Sequence, residues 1–357
     1  MNVFGLEVDA TLFWGGTTLL LVGALVLVFL GSRGRLRSRR SGDVNRLKRE
    51  LGDLRFRPED LADAGRVARR EFGRAVRQME LSKWPEAAGL LRNALAAVKE
   101  DRHRSSLRNL VGICLYLSGR LDNAKDAFEE AARLAEGVGL KAPRAAALSN
   151  LGMVHITKGE MEEARGALDR ALGIDRELGN RVATAADLGR LGLAFQGLNR
   201  ADRALDLHLE ALAIDRDIGD SRAETNDLGR IGLVYQTRGE LDKAEEYYRQ
   251  GLERARSAGY LQGTAELLGN LGLLHNERGN TDEALRHLLS ALGLFTQARG
   301  ESRVLNALSG LHAVRGRMGR DAFRAGCRKN RMSERELERL EGLLDRVSAK
   351  TPGADAG

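Results

Sequence analysis

NLGMVHITKGEMEEARGALDRALGI (150–174), RLGLAFQGLNRADRALDLHLEALAI (190–214), RIGLVYQTRGELDKAEEYYRQGLER (230–254) and NLGLLHNERGNTDEALRHLLSALGL (270–294) are four copies of one pattern, set forty residues apart. Outward from them, the same step links Val111-Gly112 to Leu151-Gly152, Leu191-Gly192, Ile231-Gly232 and Leu271-Gly272. Gly119, Gly159, Asn199, Gly239, Gly279 and Gly319 form a second column, and Ala124, Ala164, Ala204, Ala244 and Ala284 a third. Ala131, Ala171, Ala211, Gly251 and Ala291 recur likewise, as do Gly139, Gly179, Gly219 and Gly259. A fixed period of this length marks a stacked-repeat protein, each unit one supersecondary element.

Each column has a mechanical reason within a helix–turn–helix unit. The Gly or Asn before Glu160, Arg200, Glu240 and Asn280 supplies the left-handed residue that ends one helix. The next helix starts within two residues, with Asp202, Asp242 or Asp282 at its positive end. The Leu-Gly and Ala columns let two helices approach closely, and Leu115, His155, Phe195, Tyr235 and His275 recur as bulky packing residues between them. The Gly139 column ends the second helix. A lone helix pair cannot bury its apolar stripe, so the pairs must stack.

These residues resemble the tetratricopeptide repeat (TPR) family over about residues 60–320: a Leu-Gly in the first helix, a Gly in the turn, two spaced Ala in the second. The forty-residue step is similar to the long repeats of kinesin light chain and of the spindle-orientation adaptors. The resemblance implies an all-α fold, a TPR-type α-solenoid in which helix pairs wind into a right-handed superhelix. Roughly seven pairs are expected over 58–330. A degenerate early unit starts its second helix at Trp84-Pro85, and a partial unit lies at 301–330. Ser333-Glu334-Arg335-Glu336 reads as a capping box opening a solvating helix over 331–349, with a disordered tail at 350–357.

Composition and charge narrow the classes further. Two isolated cysteines, Cys114 and Cys327, exclude a disulfide framework and a cysteine zinc site. The formal charge of +7 is localised. Residues 33–50 carry eight basic side chains against two acidic ones, and residues 1–32 carry only Glu7 and Asp9, which leaves 51–357 almost neutral. A phosphate-binding stripe is therefore not expected, and nucleic acid is disfavoured as a partner.

Residues 10–30, ATLFWGGTTLLLVGALVLVFL, hold no charge over 21 positions. As a helix they would extend about 31 Å, the depth of a bilayer core. Arg33, Arg35, Arg37, Arg39 and Arg40 follow at once, and no basic residue precedes. By the positive-inside rule this predicts a single-pass inner-membrane protein, with 1–9 outside and the rest, from a basic juxtamembrane linker at 31–57 onward, in the cytoplasm. Those five arginines are also candidates for contact with lipid head groups. The Arg- and Gly-rich composition points to a bacterium.

In TPR proteins the first helix of each unit lines the concave surface, so the resemblance makes its polar columns the candidate partner-binding groove. One column is Asn150, Arg190, Arg230 and Asn270; a second is Gln196, Gln236 and Asn276, with Asn226 near a helix start. In the long-repeat relatives an Asn at the first column holds the backbone of an extended peptide. Asn150 and Asn270 match it, whereas Arg190 and Arg230 would favour an acidic stretch. The clamp of chaperone-binding TPRs is missing: Gly189, Gly229 and Gly269 occupy one of its positions, and Met153, Leu193, Leu233 and Leu273 another.

No nucleophile elbow, phosphate-cradling loop or H-E-x-x-H is present, so an enzyme, a cofactor and a metal are not expected. His155 and His275 are expected in the core, and His103, His208, His287 and His312 lack ligand partners at repeated spacing. The expectation is a membrane-anchored scaffold or adaptor whose TPR groove binds a protein segment. The alternatives are a ligand- or peptide-responsive regulator of an enzyme or transcription factor, and a protein similar to the import-receptor class of TPR proteins.

Overall fold

The computed structural model describes residues 2–3, 6–7, 65–298 and 301–348. The expected span at 10–30, the linker at 31–57 with its arginines, and the tail lie outside these residues. Among the described residues no helix is long and apolar enough to cross a membrane. Two short strands, β1 (Asn2–Val3) and β2 (Leu6–Glu7), pair antiparallel with Asn2 opposite Glu7.

The remaining elements are helices, in two compact units lying within Gly34–Asp220 and Ser221–Gly357. The first holds α1 (Gly65–Glu80), α2 (Trp84–Ala96), α3 (Asp101–Leu117), α4 (Leu121–Gly137), α5 (Lys141–Lys158), α6 (Met161–Glu177), α7 (Arg181–Gly197) and α8 (Ala201–Ile218). The second holds α9 (Ser221–Thr237), α10 (Leu241–Ser257), α11 (Leu261–Glu277), α12 (Thr281–Ala298), α13 (Glu301–Met318), α14 (Arg320–Lys329) and α15 (Glu334–Ser348). Within each unit every helix packs on the next, and odd-numbered helices also touch, α3 on α5 on α7 and α9 on α11 on α13.

The helix ends follow the sequence columns. Gly119, Gly159, Asn199, Gly239, Gly279 and Gly319 all have positive φ, as do Gly139, Gly179, Gly219 and Gly259. At all of these except Gly319 the chain closes a six-residue loop back onto the helix it leaves. The N–H of Glu160 donates to the carbonyl of His155 at 2.9 Å, that of Glu240 to Tyr235 at 2.9 Å, and that of Asn180 to Asp175 at 2.9 Å. This Schellman geometry satisfies carbonyls that a terminating helix would otherwise orphan, and it reverses the chain within three residues.

Close approach of the paired helices explains the Leu-Gly column. A Cβ on Gly112 would lie 2.6 Å from the Phe128 ring, on Gly152 2.5 Å from Leu168, and on Gly192 2.4 Å from His208. In the second unit Gly232 and Gly272 stand in the same relation to Tyr248 and Leu288, each at 2.6 Å. The partner is always sixteen residues on, so one large side chain of the second helix lies on the bare backbone of the first. Ala124, Ala164, Ala204, Ala244 and Ala284 are fully buried beside that contact.

Apolar packing is distributed unevenly. In the second unit one cluster runs from Ala244 to Leu344. In the first unit a cluster around Phe72, Leu107 and Phe128 gives way to two small ones, centred on Ala147 and Leu148 and on Leu188 and Leu191. The interruption coincides with buried Ser149, Asn150, Asp175, Asp187 and Arg190. At the far end, the Ser333 N–H donates to Glu336 Oε2 at 2.9 Å while Ser333 Oγ accepts from the Glu336 N–H at 3.4 Å, which opens α15.

Candidate functional site

The first polar column is divided by burial. Asn150, on α5, is 0% exposed, and its Nδ2 donates to Asn109 Oδ1 on α3 at 3.0 Å. Arg190, on α7, is 5% exposed; its Nη1 donates to Ser149 Oγ at 2.5 Å and to Asp187 Oδ1 at 3.2 Å. Ser149 Oγ in turn donates to Asp187. Both side chains are therefore spent on holding α3, α5 and α7 together. Arg230, on α9, is half-buried and pairs with Asp227 at 3.1 Å. Asn270, on α11, is also half-buried.

Several bonds between neighbouring first helices share one offset. Asn150 to Asn109, Arg190 to Ser149, Tyr116 Oη to Thr157 Oγ1 (2.9 Å) and Gln236 Nε2 to Glu277 Oε2 (2.8 Å) each join residues 41 positions apart. Neighbouring first helices thus lie side by side, slipped by one residue relative to the repeat. Each residue therefore meets the following position of the next repeat, which is how Ser149 meets Arg190 rather than Gly189.

In the second column, Gln196 Oε1 lies 3.5 Å from His208 Nε2, and Gln236 Oε1 accepts from Tyr248 Oη at 2.8 Å. These glutamines anchor the polar tips of the large residues that lie on Gly192 and Gly232. The main-chain carbonyl of Asn276 accepts from Arg317 Nη1, and its own Oδ1 is buried without a hydrogen bond. Asn226 is half-buried on α9. Leu233 and Leu273, the residues after each Leu-Gly or Ile-Gly pair, are each 42% exposed on α9 and α11. At the same positions of α5 and α7, Met153 and Leu193 are only half-exposed.

Electrostatics mark two places. Burial pushes the Asp175 carboxyl up to about 6, helped by the neighbouring Asp187 and opposed by the Asn180 hydrogen bond and by Arg190. Asp187 is also raised by burial, with Arg190 and Ser149 pulling the other way. The second place is unforeseen in the sequence. His275, Glu283 and His287 bring one potential ligand atom each to within 4.8 Å of one another, where the sequence reading expects no metal ligands. Spacing alone missed them because His275 belongs to α11 and the other two to α12. Burial depresses His275, and burial with Arg286 and His275 nearby lowers His287 to about 4. The two thiols are inert, Cys114 pushed up to about 12 and Cys327 to about 11 by burial.

Antiparallel helix pairs repeated at a fixed step, with close first helices and glycine-ended turns, define an all-α solenoid. The sequence profile of the tetratricopeptide repeat matches residues 143–217 and 221–297, and a second profile of the same description matches 72–138, together more than half of the chain. The chain belongs to the tetratricopeptide repeat family. No curated protein matches it. Among solved structures it is similar to the apo form of RapI, at 15% identity and a TM-score of 0.62 over 80% of this chain and 99% of that one. It is also similar to a Rap protein complexed with Competence and Sporulation Factor, at 14% identity and 0.56 over 91% and 92%. BtubC (BKLC) from P. vanneervenii matches at 21% identity and 0.51 over 64% of this chain and 93% of its own. At these identities the likeness establishes the fold.

Proposed function

We propose that this protein is a membrane-anchored adaptor whose TPR domain binds a segment of a partner protein on the face formed by α9 and α11. The observation that carries the reading is the exposed pair Leu233 and Leu273 on successive first helices, flanked by Arg230 and Asn270. Exposed leucines beside an amide and a guanidinium suit an extended segment that offers apolar side chains, main-chain amides and a carboxylate. Asn226 and the ion pair of Arg303 with Glu266, at 3.0 Å, border the same helices. Asn150 and Arg190 serve the stack in this reading, and Gln196 and Gln236 hold its inner rings.

The anchor is the uncharged stretch 10–30 with Arg33, Arg35, Arg37, Arg39 and Arg40 at its inner edge, which puts 31–357 in the cytoplasm of a bacterial cell and residues 1–9 outside. A photo-crosslinking residue at Leu233 or Leu273, in membranes, is expected to give a discrete adduct that the same residue at Leu209 on α8 does not. The adduct should vanish when Arg230→Glu and Asn270→Ala are combined. Equal labelling from all three positions would refute the groove. A carboxy-terminal reporter active only outside the inner membrane would refute the orientation.

A second reading, a regulator whose repeats change arrangement on binding a ligand or peptide, draws on the buried Ser149–Asp187–Arg190 network. A polar network inside a helical stack is an element that two packings could share.

A further inference from the structure

We infer that His275, Glu283 and His287 form a binding site for a borderline divalent cation of the zinc class, at the turn between α11 and α12. The case rests on comparing equivalent positions of successive repeats, because every repeat has the same slot. In the pair α9–α10 the slot holds Tyr235 stacked on Tyr247, ring centroids 5.4 Å apart, with Lys243 Nζ 5.2 Å from the Tyr235 centroid. Forty residues on, both tyrosines are histidines and the lysine is Glu283. The stack survives, since the His275 and His287 rings lie 5.4 Å apart and 7° from parallel. A slot filled by two phenol rings and a lysine ammonium has become two imidazoles and a carboxylate, so all three positions now carry groups able to ligate a metal cation.

The ordinary role of a buried histidine in this column is visible at His155, whose Nδ1 is 2.6 Å from Glu160 Oε2. Behind His275 the residue equivalent to Glu160 is Asn280. His275 is 94% buried, and its Nδ1 has no hydrogen-bond partner. A buried ring nitrogen without a partner is destabilising, and a ligand would satisfy it.

Two imidazole nitrogens and a carboxylate oxygen suit Zn²⁺, or Co²⁺ as its surrogate; Mg²⁺ and Ca²⁺ want oxygen alone. Tetrahedral ligand atoms at about 2.1 Å from the ion stand about 3.4 Å apart; the three atoms lie within 4.8 Å of one another, Glu283 Oε2 already 3.7 Å from His287 Nε2, so small side-chain rotations bring them to that spacing. Glu283 leaves its ion pair with Arg286 to do so. Glu245 Oε1 lies 3.8 Å from the opposite ring nitrogen, His275 Nε2, where it can orient the imidazole from outside the ligand set, and Arg249 and Arg278 hold it there.

The test uses the purified full chain, stripped with chelator and titrated with Co²⁺ and then with Zn²⁺ against a chromophoric chelator. The expected result is one equivalent of Co²⁺ with visible d–d absorption, displaced by Zn²⁺. Glu283→Gln should weaken Zn²⁺ binding at least about tenfold. The double variant His275→Tyr/His287→Tyr, which restores the pair found one repeat earlier and so keeps the packing, should abolish it, while His155→Phe should leave it unchanged. No d–d absorption, or an affinity that the double variant does not alter, would overturn the site.

Discussion

Asp187 in the first unit and Leu267 in the second occupy the same position of the repeat, as do Asp175 and Ala255. All four are buried. Around Leu267 and Ala255 the second unit packs one apolar cluster from α10 to α15. Around Asp187 and Asp175 the first unit builds a Ser–Asp–Arg network, and its apolar clusters shrink. One backbone thus accepts either solution. What differs is whether a counter-charge stands three residues on, Arg190 in one case and Asn270 in the other. A buried carboxylate is tolerated where a counter-charge or hydrogen-bond donor reaches it.

The sharpest way to break this comparison is a transplant. Leu267→Asp places a carboxylate in the apolar column without its arginine and should cost about 3–5 kcal/mol in chemical denaturation. Adding Asn270→Arg should recover at least half of that. Removing Arg190 alone, as Arg190→Met, should cost about as much as the transplant, because Asp187 is left buried and unpaired. Ser149→Ala, Asp187→Leu and Arg190→Met together should be neutral or stabilising by about 1–4 kcal/mol. If the triple variant is as damaged as the single one, the network contributes more than replaceable packing.

A smaller effect separates backbone geometry from column chemistry. Gly152→Val and Gly272→Val, one in each unit, should each cost about 1–3 kcal/mol, since their second-helix partners Leu168 and Leu288 leave no room for a Cβ. Equal losses would show that the close approach is common to both units whatever their cores contain.

One pH dependence is specific to the first unit. With its carboxyl raised to about 6 in the folded state, Asp175 contributes stability that is fully present below about pH 4 and lost as pH rises through 6. Asp175→Asn cannot ionise. It should therefore gain about 1–2 kcal/mol over the wild type at pH 8, with the gain shrinking toward zero by pH 4. The smallest effect is Tyr248→Phe, which removes the bond to Gln236 and should cost about 1 kcal/mol.

Much of this architecture is legible in the sequence, and for a local reason. The left-handed glycines, the six-residue closures and the Gly that admits a large side chain sixteen residues on recur because each depends on a short stretch of chain. The polar columns were legible as columns but not as surfaces. Asn150 and Asn270 look alike in the sequence, yet Asn150 meets Asn109 inside the stack while Asn270 stays half-exposed. Similarly, His275 and His155 look alike until His287 and Glu283 are brought in from the next helix.

The amino-acid sequence by itself determined the repeat, its forty-residue step, the helix ends and the family, since periodicity and turn chemistry act between near neighbours in the chain. Only the tertiary structure decided which polar residues of that repeat are consumed by the neighbouring helix and which stay accessible. The one-residue slip between adjacent first helices joins residues 41 apart, and burial with its cost to charge depends on what that slip places opposite.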